Sequence, residues 1–352
     1  MKMQYDYLTK LPTNAELAAF RKEAPKVAGG ITTMQYILLV VLGSGFGLPF
    51  AFLFGGRNAV LIGIFIPLFS IIGGVGLAYL CYLIYKTHTL RRRYRLYYFA
   101  KENNLEYTPG LKRSDAEFMF AERREDTAIP NIQTGMVFAA GGHSERIEDR
   151  LVRPGEFEIS NYYYTTGSGK NQQRHDWGYI RVPLKRRLPH IVLDAKKNNT
   201  GLFGFSITNL PLTFKKDQTL SLEGDFDTYF TLYAPKEYER DALYIFTPDL
   251  MALLIDESAQ FDVEIIDDAL YVYSSRPFMM QDPAVLNRLF AIIDAIGNKM
   301  TKATERYADE RVVNAREANI VAPAGARLKQ GFPLIGIIVI IYILWSIITS
   351  LF

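Results

Sequence analysis

Three long runs of residues without a charged side chain constrain this sequence more than any other feature. They cover residues 31–56, 58–85 and 330–352. A helix needs roughly 20 apolar residues to cross about 30 Å of hydrocarbon, whereas uncharged helices inside globular proteins seldom exceed about 14 residues. The sequence therefore predicts three transmembrane helices, arranged as an N-terminal hairpin and a C-terminal span.

Basic residues beside these runs predict the orientation of the chain. Lys86, Arg91, Arg92, Arg93 and Arg95 follow the second run, whereas the turn between the first two runs holds one arginine. Because Lys and Arg resist translocation, we expect a multi-pass membrane protein with its N-terminus in the cytoplasm and its C-terminus outside. The five named residues are also expected to contact anionic lipid headgroups, at about 1 kcal/mol per residue.

Small residues recur at four-residue spacing in the first two runs. They are Gly43, Gly47, Ala51, Ser70, Gly74 and Ala78. Such faces let helix backbones approach closely, so the hairpin is expected to pack on itself or on a second copy of the chain. No charged residue or histidine lies inside any run, which argues against a transporter.

The runs divide the chain into five predicted segments. Residues 1–30 form a cytoplasmic N-terminal segment and residues 31–86 a transmembrane hairpin. Residues 87–298 form a cytoplasmic α+β domain rich in antiparallel strands, with flanking helices. A charged helical connector (299–330) then leads into the C-terminal transmembrane helix (331–352).

Aromatic and β-branched residues mark the strands of the α+β domain. The predicted strands are 157–164, 177–182, 189–193, 202–208, 218–222, 227–233, 261–266 and 270–273. The last two are expected to form a hairpin across Asp267 and Asp268. Helices are expected to begin after Thr247 and Asp282, because each is an N-cap residue followed by proline.

The segment Gly167–Lys170 contains the letters of a phosphate-binding loop. Such a loop needs an earlier glycine, a hydroxyl residue after the lysine, and a helix after that. Tyr164 and Asn171 occupy the two remaining fixed positions, and the chain continues into a strand. This segment is therefore interpreted as a connection between two strands.

Asp225 and Asp227 are the strongest catalytic candidates. On a strand, this spacing places both carboxylates on one face, where they could hold Mg²⁺ or Mn²⁺ against a phosphate. A membrane-bound, metal-dependent enzyme acting on a phosphorylated or lipid-linked substrate is thus an alternative function. The favoured interpretation is a turn and the polar face of a strand, because two-residue motifs often arise by chance.

No other cofactor or metal site is predicted. The four histidines lack metal-ligand spacing, and Cys81 is the one cysteine. Charge is segregated, with a net charge of +8 in residues 170–216 and −12 in residues 217–268. These blocks are expected to pair within the domain, while partner binding and contact with an anionic leaflet stay open. Nucleic-acid binding is not expected, because the acidic block cancels the basic surplus.

Several ordered blocks resemble a bacterial family of membrane-anchored proteins with a domain of unknown function. The blocks are LPHIVLDA (188–195), LSLEGDFD (220–227), DALY (241–244) and TPDLM (247–251). The resemblance implies a bacterial source and a location in the cytoplasmic (inner) membrane, and it supplies no activity. We therefore expect a membrane-anchored cytoplasmic binding or scaffold protein rather than an enzyme, with lipid, a protein or a second copy as its partner.

Overall fold

The computed structural model describes most of the chain, in two compact units. The described residues are 2–29, 37, 59–112, 135–140, 142–202, 205–222 and 224–331, and the side chains of 59–70, 86–87, 112, 200–202, 205–207 and 315 lie outside the description. One unit comprises Gln4–Asn103, and the other comprises Met1–Met3 with Asn104–Phe352. Each unit is considered by itself.

The unit Gln4–Asn103 is helical. Its helices are α1 (Asp6–Thr9), α2 (Asn14–Glu23), α3 (Pro25–Ala28), α4 (Ala59–Ile84), a π-helical segment (Tyr85–Leu90) and α5 (Arg91–Glu102). Thr13 caps α2, since its hydroxyl accepts the Glu16 amide at 3.3 Å and the Glu16 carboxylate accepts the Thr13 amide at 2.7 Å. Phe20 of α2 is fully buried and packs edge to face against Tyr94 of α5.

Helix α4 coincides with the second uncharged run, while residues 31–56, apart from Ile37, and residues 332–352 lie outside the described residues. In the part of the chain that the structure describes, no helix is sufficiently long and apolar to cross a membrane. This finding contradicts the three predicted transmembrane helices, the multi-pass description and the inner-membrane location.

The other unit is built on an antiparallel sheet. Its strands are β1 (Glu106–Lys112), β2 (His143–Arg153), β3 (Phe157–Thr166), β4 (Gln173–Ala195), β5 (Thr200–Leu202), β6 (Phe205–Ile207), β7 (Thr219–Leu220), β8 (Phe230–Tyr233) and β9 (Asp262–Ser274). Seven of them form one sheet in the order β1-β2-β3-β4-β8-β7, with β9 also pairing with β4, and β5 pairs with β6 separately. Strand β4 is therefore the centre of the sheet.

Strands β4 and β9 are each one continuous strand where the sequence predicts two. The predicted strands 177–182 and 189–193 both lie in β4, and 261–266 and 270–273 both lie in β9 except for Phe261, which directly precedes it. Asp267 has a φ of 53° but does not reverse the chain. Leu188 pairs with Asp267, and Pro183 pairs with Ala269. Residues 184–187 of β4 therefore lie opposite Asp268 alone. The predicted hairpin across Asp267 and Asp268 is thus a bulge.

Helices complete this unit. They are α6 (Met136–Ala139), α7 (Phe226–Tyr229), α8 (Glu239–Ile245), α9 (Pro248–Ser258), α10 (Pro283–Ile292), a π-helical segment (Ile293–Gly297), α11 (Asn298–Thr304), α12 (Ala315–Ala318) and α13 (Pro323–Ala326). The predicted starts after Thr247 and Asp282 agree with α9 and α10. Asp282 caps α10 by accepting the Ala284 amide at 2.8 Å.

A polar network crosses the buried face of β4 and β9. The Glu264 carboxylate, which is fully buried, accepts hydrogen bonds from His190 Nε2, the Tyr273 hydroxyl and the Met136 amide, each at 2.8 Å. The Leu328 amide donates to His190 Nδ1 at 3.0 Å, which leaves the ring proton on Nε2. Aromatic side chains surround the network, among them Trp177, which is buried edge to face against Tyr273.

Candidate functional site

The two candidate catalytic carboxylates do not share a strand face. Asp225 is exposed and directly precedes α7, and Asp227 lies within α7. Phe226 and Phe230 are both buried and stacked on each other, and the Phe230 amide donates to the Phe226 carbonyl, which closes one helical turn.

The Asp227 carboxylate is used within its own turn. It accepts the Leu222 amide at 3.2 Å and the Ser221 hydroxyl. Across the described residues, no group of three or more His, Cys, Asp or Glu side chains is arranged to hold a metal ion. Asp227 therefore closes a turn, and Asp225 faces solvent, so the pair forms no shared carboxylate site.

The basic residues predicted to contact headgroups lie at the start of α5. The Arg93 guanidinium donates to the Ala28 carbonyl at 3.0 Å, and Arg95 donates to the Lys10 carbonyl at 2.9 Å. Arg91 and Arg92 are partly buried, and Lys86 belongs to the π-helical segment. Two of these arginines thus hold the N-terminal helices, and headgroup contact stays a prediction.

The small residues predicted to pack helices are only partly described. Gly43, Gly47 and Ala51 lie outside the described residues, as does the Ser70 side chain. Gly74 and Ala78 are both buried on one face of α4. Packing of the hairpin on itself or on a second copy stays a prediction.

A polar cavity of about 640 Å³ lies between α8 and the chain from residue 306 to residue 316. Its volume is within the range of small-molecule sites. The lining comprises four arginines (Arg240, Arg306, Arg311 and Arg316), two carboxylates (Asp241 and Glu310), two tyrosines (Tyr244 and Tyr307) and Ala308. This excess of arginine distinguishes the cavity from ordinary apolar ligand pockets.

Helix α8 presents one face to the cavity and the other to the core. Arg240 and Tyr244 are separated by four positions and so lie on the same face of the helix. Ala242 and Ile245 are fully buried on the other side. The helical period therefore fixes which side chains of α8 reach the cavity.

A hydrogen-bonded network joins the two walls. Arg311 donates to Asp241 Oδ2 at 3.0 Å and to Asp309 Oδ1 at 3.1 Å, and its guanidinium lies 3.9 Å from the centre of the Tyr238 ring. The Tyr307 hydroxyl donates to the other Asp241 oxygen at 2.8 Å. Both oxygens of Asp241 are thus used, and its position is fixed from two sides.

This network favours the ionised forms of Asp309 and Arg311. Burial alone would raise the pKa of Asp309, but hydrogen bonds from Tyr238, Ala322 and Arg311 outweigh burial and lower it. Burial opposes the charge on Arg311, and its hydrogen bonds to Asp241 and Asp309 outweigh that effect, so its pKa is raised. Burial and the bond to Asp241 raise the pKa of Tyr307.

The other three arginines of the cavity do not belong to this hydrogen-bonded network. Arg240, Arg306 and Arg316 are exposed, and their guanidinium groups make no hydrogen bond or ion pair with any described residue. Arg311 is matched by carboxylates, whereas Glu310 is the one further acidic group in the lining. The cavity therefore carries a surplus of positive charge that is free to meet an anion.

Sequence patterns did not identify this cavity. Its arginines come from two stretches more than 60 residues apart, and the second stretch was interpreted as a charged connector. The second stretch contains one indication that it folds onto the domain, since Tyr307 and Asp309 within it are buried. A tyrosine and an aspartate within a run of arginines are consistent with a segment that folds onto a domain.

The comparisons with known proteins identify no family for this chain. No protein-family model matches the sequence, and no curated protein matches it. A solved structure, the crystal structure of the mycobacterial trehalose monomycolate transport factor A (TtfA), is 10% identical, with a TM-score of 0.34. The similarity covers 59% of this chain and 92% of that chain. This likeness establishes no shared fold, and the bacterial family resemblance of the sequence blocks stays a prediction.

Proposed function

We propose that this chain is a binding protein whose arginine-lined cavity takes a ligand that bears a phosphate group. The observation that supports this proposal is the presence of three guanidinium groups without partners, those of Arg240, Arg306 and Arg316, around one cavity. Arginine is suited to this role, since its planar fork binds phosphate oxygens in pairs and stays charged at any physiological pH.

The residues that line the cavity also indicate which phosphate compounds it can bind. Asp241 is held by Arg311 and Tyr307, so it does not neutralise the free arginines. Tyr244 is more than half exposed at the edge of the cavity and offers a ring against which an attached organic group can pack. The cavity can therefore hold a phosphate group together with an attached organic group. The scaffold role predicted from the sequence stays a prediction.

Binding is tested with two sources of phosphate on the purified full chain. Pyrophosphate is titrated calorimetrically, and phosphatidylcholine vesicles with and without phosphatidic acid are tested by cosedimentation. Arg240→Gln and Arg306→Gln are each expected to weaken binding roughly tenfold, and added salt should weaken it further. Arg276→Gln is the matched control, because Arg276 is exposed and lies outside the cavity lining.

The results of these measurements distinguish the two sources of phosphate. Binding of pyrophosphate indicates a soluble phosphate ligand, whereas binding only of vesicles with phosphatidic acid indicates a lipid headgroup. Since the basic residues of α5 are also predicted to contact lipid headgroups, only a loss in the cavity variants supports the proposal. Equal binding by the cavity variants and the control would show that the cavity is not the site.

A further inference from the structure

A group of buried oxygen atoms lies where β4 ends and β9 begins, and it shares no residue with the arginine-lined cavity. Val192 pairs with Glu264 and Leu193 with Val263, so the next position along places Asp194 opposite Asp262. Residues directly opposed in an antiparallel pair project from the same face. Asp194 is 3% exposed and Asp262 is 0% exposed, so two carboxylates are buried side by side.

Asp262 organises the surrounding chain. Its Oδ1 accepts the Ala195 amide at 2.9 Å, and its Oδ2 accepts the side-chain amides of Asn198 at 3.1 Å and Asn209 at 2.9 Å. Both asparagines therefore turn their nitrogen atoms toward Asp262. This arrangement fixes which end of each amide is oxygen.

Three oxygen atoms of this group have no hydrogen-bond partner. They are the Oδ1 atoms of Asp194, Asn198 and Asn209, and all three are buried. Buried polar atoms almost always have a partner, and a single water molecule has only two hydrogens to give to three acceptors. A bound cation, unlike a water molecule, takes several oxygen ligands.

The charge of the group also favours a cation. No lysine or arginine of the described residues donates a hydrogen bond to either carboxylate, and the nearby Lys196 ammonium donates to the Asp227 carbonyl.

We propose that the Oδ1 atoms of Asp194, Asn198 and Asn209 bind a divalent cation, and that Ca²⁺ is the best match. Carboxylate and amide oxygens are the ligands that Ca²⁺ takes in proteins, and its flexible geometry allows solvent to complete the shell. No thiol or imidazole belongs to the group, which disfavours zinc and copper. The cation would join the loop after β4, and the chain after β6, to the sheet.

Cation binding is tested by thermal unfolding of the full chain in EDTA and in increasing CaCl₂. A ligand that binds only the folded state raises the midpoint as its concentration increases. Asp194→Asn keeps the size of the side chain and removes its charge, so we expect its Kd for Ca²⁺ to rise roughly tenfold or more. Asp268→Asn is the matched control, because Asp268 is exposed on the same strand as Asp262.

A second measurement does not depend on the stability of the variants. Tb³⁺ added alone to the wild-type chain should give luminescence sensitised by nearby aromatic side chains, and Ca²⁺ should displace it. Asn209→Ala removes one of the three oxygens and should weaken both effects. The proposal is overturned if millimolar Ca²⁺ changes neither the unfolding midpoint nor the Tb³⁺ signal, or if Asp194→Asn responds like the wild type.

Discussion

At the scale of single residues, the fold depends on a few buried polar groups whose hydrogen bonds are complete. Glu264 is the clearest case, since three donors from separate parts of the chain meet at its carboxylate. Space beside it is limited. Gly135 precedes the Met136 amide, and a Cβ atom at this position would lie 2.2 Å from the Tyr273 hydroxyl oxygen and 3.3 Å from Glu264 Oε2.

Gly135→Ala is therefore expected to break this network. The tyrosine hydroxyl must move, which leaves a buried carboxylate with fewer donors and costs about 2–4 kcal/mol of unfolding free energy. Urea denaturation measures the loss. Gly110→Ala in β1 is the control, because its Cβ atom would lie 3.6 Å from the nearest atom, an ordinary contact. Equal stability losses in the two variants would contradict the assignment.

At the scale of elements, one arginine connects the cavity to the sheet. Arg186 of β4 donates from Nε to the Tyr307 carbonyl at 3.0 Å and from Nη1 to the Arg316 carbonyl at 2.8 Å. The adjacent Arg187 amide donates to Asn319 Oδ1 at 3.0 Å. Strand β4 thus holds the segment that carries two of the free arginines, although Arg186 itself does not line the cavity.

Arg186→Ala should accordingly weaken pyrophosphate binding roughly tenfold through displacement of this segment. Calorimetric titration measures the affinity, and Arg186→Lys, which keeps one donor, should retain more of it. Lys185→Ala is the control, because its ion pair with Glu305 is more than half exposed on both sides and contributes little. If Arg186→Ala binds like the wild type, the segment does not need this support.

The cap of α2 gives a prediction with a pH dependence. The Lys10 ammonium and the Thr13 amide lower the pKa of Glu16 to about 2. The folded-state pKa of Glu16 is below its unfolded value of about 4.3. The stabilisation of α2 by the ionised Glu16 is therefore complete above about pH 4.3 and is lost as the pH falls toward 2.

Thr13→Ala removes the hydroxyl half of the cap and should lower the stability of α2 by about 1 kcal/mol. Amide hydrogen exchange measures this effect and should become faster across α2. Thr9→Ala is the control, since its exposed hydroxyl donates only to the carbonyl of Asp6 in α1. Glu16→Gln should speed exchange at neutral pH and lose that effect near pH 2. A constant difference at every pH would exclude the proposed role of the carboxylate.

The elements that could be predicted are those with local signals. Strand β3 has a run of aromatic residues, and α10 begins at an aspartate followed by proline. The continuity of β9 could not be predicted, because Asp267 looks like a turn residue and only its pairing with β4 shows a bulge. The sequence predicts a strand at Asp227, because residues four positions apart, such as Phe226 and Phe230, share a face in a strand as well as in a helix. The cavity depends on contacts between distant segments, which no local pattern contains.

At the scale of the whole molecule, the segment predicted as a connector balances the charge of the sheet unit. The acidic block 217–268 forms ion pairs with Lys299, Arg311 and Arg327, all from beyond residue 298. The same segment supplies the Leu328 amide to the buried His190 ring. Residues after α11 are thus part of the folded sheet unit.

A chain that ends at Thr304 is therefore expected to lose cooperative unfolding of the sheet unit. It would lack the buried Tyr307 and Asp309 and the donor to His190, a loss comparable to the 5–15 kcal/mol that stabilises a typical domain. Circular dichroism during urea denaturation measures this. A chain that ends at Gly331 keeps all of these contacts and is the control. An unchanged midpoint in the shorter chain would mean that the segment only connects.

The burial of Trp177 against Tyr273 makes the centre of the sheet optically visible. The chain has two tryptophans, and the other, Trp345, lies outside the described residues. Trp345→Phe would leave Trp177 as the single indole emitter, within 6.4 Å of a tyrosine that binds Glu264. Its emission wavelength would then report, without any attached dye, when water first reaches the junction of β4 and β9.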